Sequence, residues 1–205
     1  LSHAQNYFTI ANYAQTSIGL YNIEQGSSTG FERSDYSFII GNGNSDTNRQ
    51  NAFAVRWSGE TLADGAYSSS GADYAEMFEW LDGNINNEDR VGYFVTLDGE
   101  KIKKATSKDE YNLGIVSANP AILGDNHSLK WKDKYLTDEW GRIQYEKVTI
   151  PKEIDEKGNV IIEEYIEERP ILSPSFDISK NEEYEGRQDR PEWSAVGMLG
   201  KLLVR

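Results

Sequence analysis

Residues 70–80 read Ser70-Gly71-Ala72-Asp73-Tyr74-Ala75-Glu76-Met77-Phe78-Glu79-Trp80, and this stretch divides the chain into two unlike parts. Before it the sequence is rich in Gly, Ser and Asn and carries few charges, whereas after it the sequence is densely charged and strand-like. The stretch sets Asp73 and Glu76 beside a run of small residues that is typical of an exposed segment. A peptide bond between two such parts, with carboxylates next to it, suggests a chain that cleaves itself.

The alternation of residue types in this stretch favours a β-strand over a helix. On a strand, alternate residues share a face, which gives two sets: Tyr74, Glu76, Phe78 and Trp80, and Asp73, Ala75, Met77 and Glu79. On a helix, residues three apart lie side by side, so Asp73 and Glu76 would act together. The strand predicts instead that Glu76 acts on the bond of a neighbouring subunit, or with a carboxylate distant in sequence.

The composition limits the classes of protein to which the chain can belong. A net charge of −13 repels nucleic acid and anionic lipid, so we expect no nucleic-acid binding and no membrane insertion. The absence of cysteine excludes disulfides, Cys-ligated zinc and thiol nucleophiles. Two histidines are too few to favour a His-based metal site or a Ser-His-Asp triad. We therefore predict no metal and no required cofactor.

Residues 1–57 alternate short apolar triplets with Gly and Asn, as in Ser37–Gly43. Because Gly and Asn tolerate positive φ, the pattern predicts very short strands joined by tight turns. So small a unit cannot bury its apolar side chains alone, so it needs to stack on neighbours or on other chains. The stretch resembles the β-roll heads of trimeric surface adhesins, which implies a trimeric β-roll or stem. An ordinary irregular β segment is the alternative. The turn residues Ser58–Glu60 after Asn51–Trp57 predict a hairpin.

Two hairpins and a buried strand are predicted after the dividing stretch. The pair Asp98-Gly99 between strand-like runs predicts a tight hairpin, and the apolar run Leu113–Ala118 predicts a buried strand. Residues 147–150 and 160–166 flank the turn residues 154–159 and are rich in glutamate, so most of this hairpin cannot be core. We expect a long projecting acidic hairpin that grips a partner chain; a solvated hairpin without a role is the alternative.

Several separate blocks of sequence, in a fixed order, resemble one known family: Gly71–Trp80, Asp89–Val95, Leu113–Pro120 and Arg190–Gly200. In these blocks the chain is similar to the C-terminal intramolecular-chaperone autoproteolytic domain of bacteriophage tail-spike and neck-appendage proteins, a glutamic-type self-processing peptidase. The resemblance runs roughly from Gly71 to the C-terminus. The short strands and hairpins that the residues predict give a mainly β fold with little helix.

The resemblance also implies an organisation in two parts. Residues 1–72 would be the C-terminal end of a mature tail spike, and residues 73–205 an intramolecular chaperone that brings three chains together and is then released by self-cleavage. The protein would belong to the virion tail or appendage and be assembled in the bacterial host cytoplasm as a homotrimer, with its own chain as substrate. Because non-local pairing between chains is slow, a clamp that trimerises first would raise the local concentration of strands.

By resemblance, the scissile bond is Ala72–Asp73. Ala72 has no side-chain nucleophile, which leaves attack by water or by a carboxylate. Peptide hydrolysis needs one group to activate the nucleophile and another to protonate the leaving amine, and two carboxylates do this when their environments differ. Glu76 is the first candidate for catalysis and Asp73 the second; Asp73 can also approach its own amide through a six-membered ring. Three residues are candidates for supporting roles: Glu79, Asp89 and Arg90, the last as an oxyanion or carboxylate partner.

Two other functions remain open at this point. One is a non-enzymatic trimeric spike tip that binds a receptor or host cell-surface glycan through the faces of its 12 Tyr and 5 Trp residues. The other is a structural trimerisation module in which Asp73 and Glu76 are ordinary surface acids. The resemblance also leaves open that a nucleotide aids assembly. The sequence shows no nucleotide-binding motif for it, because Gly41-Asn42-Gly43 is typical of a turn and not of a phosphate-binding loop.

Overall fold

A computed structural model describes residues 2–30, 32–128, 134–177, 179 and 185–205. The chain divides into two compact units, Leu1–Ser68 and Ser69–Arg205. Strands make up 41% of the chain and helix 2%, which confirms a mainly β fold with little helix. None of the described residues forms a helix long and apolar enough to cross a membrane. The expected division of the chain into residues 1–72 and 73–205 refers to the cleaved fragments, and it stays a prediction.

The first unit is one five-stranded sheet in chain order: β1 (His3–Ala4), β2 (Thr16–Leu20), β3 (Tyr36–Asn42), β4 (Asn51–Arg56) and β5 (Thr61–Ala63). The first three strands are parallel, and β3, β4 and β5 are antiparallel. The hairpin predicted at residues 58–60 is therefore confirmed, with Gly59 at φ +89° in its turn.

Buried amides organise this unit, because its apolar core is small. Ile39 and Ala54 are buried, and beside them Gln15 and Asn22 are almost fully buried polar side chains. Gln15 donates to the Tyr36 carbonyl over 2.9 Å, and Asn22 donates to the Ile10 carbonyl over 2.9 Å. These bonds satisfy the loop backbone that such short strands leave unpaired. The short strands are as predicted; their assembly into a trimeric β-roll stays a prediction.

The described residues of the second unit form ten strands: β6 (Asp73–Glu79), β7 (Phe94–Asp98), β8 (Lys101–Lys104), β9 (Gly114–Val116), β10 (Ile122–Gly124), β11 (Tyr145–Ile150), β12 (Glu153–Ile154), β13 (Val160–Ile162), β14 (Tyr165–Pro170) and β15 (Trp193–Gly200). A short 3₁₀ helix, Arg187–Asp189, precedes β15. Six strands form one sheet in the order β10-β6-β15-β9-β7-β8. The sheet puts β6 between β10, which is parallel to it, and β15, which is antiparallel.

The sheet curls around a small apolar core. The core consists of Trp80, Val95, Ile102, Val116 and Val196. The Leu81 N–H donates to the Ile102 carbonyl over 2.8 Å, and Trp80 bridges to Ile102, so β8 returns to the end of β6. Trp80 also donates its indole N–H to the Ser194 hydroxyl over 2.8 Å. These contacts fix the last residue of the dividing stretch in the core.

Both hairpins expected in the second unit have antiparallel pairing. The turn between β7 and β8 consists of Gly99 and Glu100, with Gly99 at φ +65°. In the acidic segment, β11 pairs with β14 and β12 with β13, so the chain runs out along one arm and back along the other. Most of these residues are exposed, including the apolar side chains Ile161 and Ile166. That this acidic hairpin grips a partner chain stays a prediction.

Candidate active site

The dividing stretch forms β6, as its alternating pattern predicted. Asp73, Ala75 and Met77 are buried, whereas Tyr74 is exposed and Glu76 half-buried. Because successive side chains on a strand point to opposite faces, Asp73 and Glu76 lie on opposite faces of the sheet. The structure therefore does not bring the two catalytic candidates of one chain together.

The Ala72–Asp73 peptide lies at the start of β6 and is held by backbone hydrogen bonds. The Lys201 N–H donates to the Ala72 carbonyl over 3.3 Å, and the Ala121 N–H donates to the Asp73 carbonyl over 2.8 Å. A Cβ on Gly200 would lie 2.4 Å from the Ala72 carbonyl oxygen, and one on Gly71 would lie 2.4 Å from the Ala121 nitrogen. Only glycine allows this approach, so the sequence fixes the position of the bond from two sides.

A cavity of about 240 Å³ opens beside this peptide. Its lining includes Ala72, Asp73, Ser117, Asn119 and Leu202. It offers polar groups and space for water next to the bond that the resemblance marks as scissile.

The Asp73 carboxyl group is buried at this cavity without a matching donor. Its side chain is 6% exposed, and no described residue donates a hydrogen bond to Oδ2. A Cβ on Gly197 would lie 2.7 Å from that oxygen, so the missing side chain of Gly197 makes room for it. A buried oxygen without a partner is destabilising, and a catalytic role is one reason for a native protein to keep such a group.

Glu76, on the other face of β6, pairs with Tyr74. The Tyr74 hydroxyl donates to Glu76 Oε1 over 2.5 Å. This hydrogen bond, together with desolvation, raises the pKa of the Tyr74 phenol, so the phenol keeps its proton at neutral pH. A Cβ on Gly124 would lie 3.0 Å from Glu76 Cγ, so this glycine leaves room for the carboxylate beside β10. Tyr74 therefore holds one oxygen of Glu76 and leaves the other for a second partner.

The three supporting candidates lie in ion pairs. Glu79 accepts a hydrogen bond from Lys101 over 2.7 Å, and Asp89 pairs with Arg205. Arg90 is buried and stacks on Trp80, with its guanidinium carbon 4.4 Å from the ring centroid. It donates twice to Asp82, each over 2.8 Å, and once to Glu88 over 3.1 Å. Arg90 thus has carboxylate partners, and it lines a neighbouring cavity of about 390 Å³ rather than the one beside Ala72.

The Arg90 pair predicts a pH dependence of stability. The hydrogen bond from Arg90 lowers the pKa of Asp82 from 3.8 to about 2 in the folded protein. A carboxyl group whose pKa is depressed on folding stabilises the fold above its unfolded pKa, and this contribution is lost as the pH falls towards 2. Asp82 is largely exposed, so we expect a contribution of at most about 1 kcal/mol.

We therefore expect the melting temperature to fall between pH 5 and pH 2.5, and to fall less steeply in Asp82→Asn. Differential scanning calorimetry at the two pH values measures this. Asp98→Asn, at an exposed carboxylate in a weaker pair, is the matched control. Equal pH dependence in the parent protein and Asp82→Asn would contradict the assignment.

Several residues at the site were not found as candidates from the sequence. They are Gly197, Gly200, Lys201 and Ser117. The sequence did contain one signal for them: Gly197 and Gly200 lie inside the apolar run 196–204. Glycine inside a strand indicates a β-bulge or a close approach of another backbone segment. β15 has a register shift between Gly197 and Leu199. Among the described residues, no group of three or more His, Asp or Glu side chains is placed to hold a metal ion.

Fold and site together define a mainly β domain that holds one of its own peptide bonds beside a cavity with a buried carboxyl group. Residues 23–205 match the family described as Peptidase_G2, IMC autoproteolytic cleavage domain, and the chain belongs to this family.

Named relatives agree with the family assignment. The chain is 38% identical over 134 residues to the pre-neck appendage protein of Bacillus phage phi29, and 37% identical over 141 residues to the putative phage-related protein YobO of Bacillus subtilis. These matches cover 65% and 69% of the chain but only 14% and 16% of the relatives, so the chain corresponds to a small part of their length. The crystal structure of pre-mature bacteriophage phi29 gene product 12 aligns over 100% of the chain and 24% of its own, with a TM-score of 0.66 and 25% identity.

Proposed function

We propose that this chain cleaves itself between Ala72 and Asp73, and that residues 73–205 act as a trimerising intramolecular chaperone for a phage spike or neck appendage. The observation that carries this proposal is the placement of the bond. The Lys201 N–H donates to the Ala72 carbonyl, the Ala121 N–H donates to the neighbouring Asp73 carbonyl, and the bond adjoins a cavity with the buried Asp73 carboxyl group. Membership in a family of autoproteolytic cleavage domains supports the same function.

The chemistry is hydrolysis by carboxylates. Water adds to the carbonyl carbon of Ala72, the C–N bond breaks, and the nitrogen of Asp73 leaves with a proton. The products are a carboxylic acid at Ala72 and a free amine at Asp73. Asp73 lies at the bond and binds the water or attacks the carbonyl carbon itself; in the second case, the mixed anhydride formed is then hydrolysed. A second carboxylate must supply the remaining proton transfer.

We propose that this second carboxylate is Glu76 of a neighbouring chain. Within one chain, β6 is hydrogen-bonded on both edges, and Glu76 lies on the face of the sheet opposite to the Asp73 carboxyl group. Three residues along a strand also span about 10 Å. Glu76 is half-buried and held by Tyr74, so its carboxylate has a defined position on this face of the sheet. A site shared between subunits would make cleavage wait for assembly of the homotrimer.

The acidic hairpin fits the chaperone part of the proposal. Strands β11–β14 are mostly exposed and carry both glutamates and apolar side chains such as Tyr145, Tyr165 and Ile166. Such a surface can hold another chain through apolar contacts while it stays soluble before assembly. Released after cleavage, the chaperone would leave a kinetically stable spike in the virion tail or appendage. The relatives named as neck appendage proteins support this location.

The intact mass of the freshly expressed protein tests the cleavage. We expect two fragments, residues 1–72 and 73–205, when the protein is denatured and analysed by mass spectrometry. The same protein blocked at the bond by Asp73→Pro should stay full-length. A parent protein that forms trimers and remains uncut would contradict the proposal and favour the alternative, a non-enzymatic trimeric tip that binds a receptor or glycan.

A further inference from the structure

We propose that the segment Lys201–Arg205 completes the cleavage site: the Lys201 N–H is the donor for the oxyanion that forms at Ala72, and Asp89 and Arg205 are positioning residues that fix this segment. The inference rests on the proposed cleavage at Ala72–Asp73. It assigns a role to the Asp89–Arg205 ion pair, which the chemistry above does not use.

The segment leaves β15 at Gly200 and passes directly along the scissile peptide. Lys201 donates its N–H to the Ala72 carbonyl oxygen over 3.3 Å, and Leu202 and Leu203 line the cavity. A Cβ on Gly197 would lie 2.6 Å from Leu202 Cδ2 and 2.7 Å from Asp73 Oδ2, so both side chains pack closely against Gly197. The segment therefore forms one wall of the site.

A clamp holds the far end of the segment. The Arg205 N–H donates to the Gly92 carbonyl over 2.9 Å, and the Arg205 guanidinium donates to the Asp89 carbonyl over 3.1 Å and to the Asp89 carboxylate. The guanidinium carbon also lies 5.4 Å from the centroid of the Tyr93 ring. Both members of the Asp89–Arg205 pair are substantially exposed, so the pair adds little to global stability. Its several hydrogen bonds restrict where the segment can lie.

Attack on the Ala72 carbonyl carbon moves negative charge onto its oxygen. A backbone N–H already aimed at that oxygen stabilises the charge without reorganisation, and removing such a donor lowers the rate about 100-fold or more in other hydrolases. Loosening the clamp displaces this donor only partly, and we expect the cleavage rate to fall about tenfold.

Cleavage kinetics of Arg205→Ala in the full chain test the proposal. We expect cleavage about tenfold slower than in the parent, with the melting temperature within about 2 °C because the pair is exposed. Arg205→Lys, which keeps the charge near Asp89, should recover part of the rate. Arg142→Ala removes an exposed Arg–Asp pair elsewhere in the same unit and should cleave at the parent rate. Gly200→Ala, whose Cβ would meet the Ala72 oxygen, should cleave more slowly than Gly99→Ala, which has open space.

A direct readout separates positioning from general destabilisation. Hydrogen exchange of the Lys201 amide is measured in uncleaved Glu76→Gln protein, with and without Arg205→Ala. Faster exchange at Lys201, with unchanged exchange in β7 and β8, is the expected result. Parent-rate cleavage by Arg205→Ala, or unchanged Lys201 exchange, would overturn this inference and leave self-cleavage standing. Failure of the parent to cleave would instead refute the proposed function.

Discussion

Glu76→Gln will abolish self-cleavage and leave a folded, full-length chain. Glutamine keeps the shape of the side chain, and its amide oxygen can accept the hydrogen bond from the Tyr74 hydroxyl, so the local structure is preserved. It cannot take up or deliver a proton as a carboxylate does, and losing such a group lowers the rate about 100- to 10,000-fold. Denaturing electrophoresis over time, with mass spectrometry of the products, measures the loss.

The matched control for this variant is Glu100→Gln. Glu100 is an exposed glutamate in the β7–β8 turn, so its replacement changes the net charge equally without touching β6. It should cleave at the parent rate. Parent-rate cleavage by Glu76→Gln would remove Glu76 from the catalytic role and direct attention to Asp73 alone.

Mixed trimers distinguish a shared site from a site within one chain. Glu76→Gln chains are coexpressed with mass-tagged Asp73→Asn chains, neither of which cleaves alone. A shared site predicts that only the Glu76→Gln chains are cut, because they keep Asp73 at the bond and receive Glu76 from a neighbour. No cleavage in verified mixed trimers would contradict the shared site.

Asp73→Asn will also stop cleavage, but it will make the protein more stable. The Asp73 carboxyl group is buried, and Oδ2 has no hydrogen-bond donor among the described residues. Burying a charged group without a hydrogen-bond partner costs more than burying a neutral group of the same shape, and asparagine occupies the same space without a charge. Removing the carboxyl group at the scissile bond should slow cleavage by about 100-fold or more. A substitution that raises stability and lowers activity is expected where an active-site group destabilises the fold but is needed for catalysis.

The parent is expected to be cut and Asp73→Asn is not, so the effect of Asp73→Asn on stability is measured in a background that stays uncut. We therefore compare Glu76→Gln with Glu76→Gln/Asp73→Asn, and expect the second to melt several degrees higher at pH 7. Asp98→Asn in the same background replaces an exposed carboxylate and should change the melting temperature little. A lower melting temperature for the Asp73→Asn protein would show that the carboxyl group stabilises the fold, contrary to the unpaired Oδ2.

Local patterns predicted much of the fold. The alternation in residues 73–79 identified β6, Asp98-Gly99 identified the β7–β8 turn, and residues 58–60 identified the β4–β5 turn. These features depend on side-chain period and on turn chemistry, which act over a few residues. The resemblance of four separate blocks also identified the family that the comparison confirms.

Partners distant along the chain were not predictable. Arg90 was predicted as an oxyanion or carboxylate partner, and the carboxylates it contacts are those of Asp82 and Glu88, beside the Trp80 ring. Its supporting role in cleavage stays a prediction. Asp89 pairs with Arg205, far along the sequence. Charged residues are numerous in this chain, so spacing alone gives no preference among the many ion pairs that a fold could form.

The sequence by itself determined that the chain is mainly β, that Asp73 and Glu76 lie on opposite faces of one strand, and that the chain belongs to an autoproteolytic family. Only the tertiary structure decided what surrounds the Ala72–Asp73 bond. The strand order β10-β6-β15 brings Ala121 and Lys201 to either side of it and buries the Asp73 carboxyl group. The reason is physical: a strand's faces follow from its two-residue period, whereas its neighbours are chosen by packing and hydrogen bonding over the whole sheet.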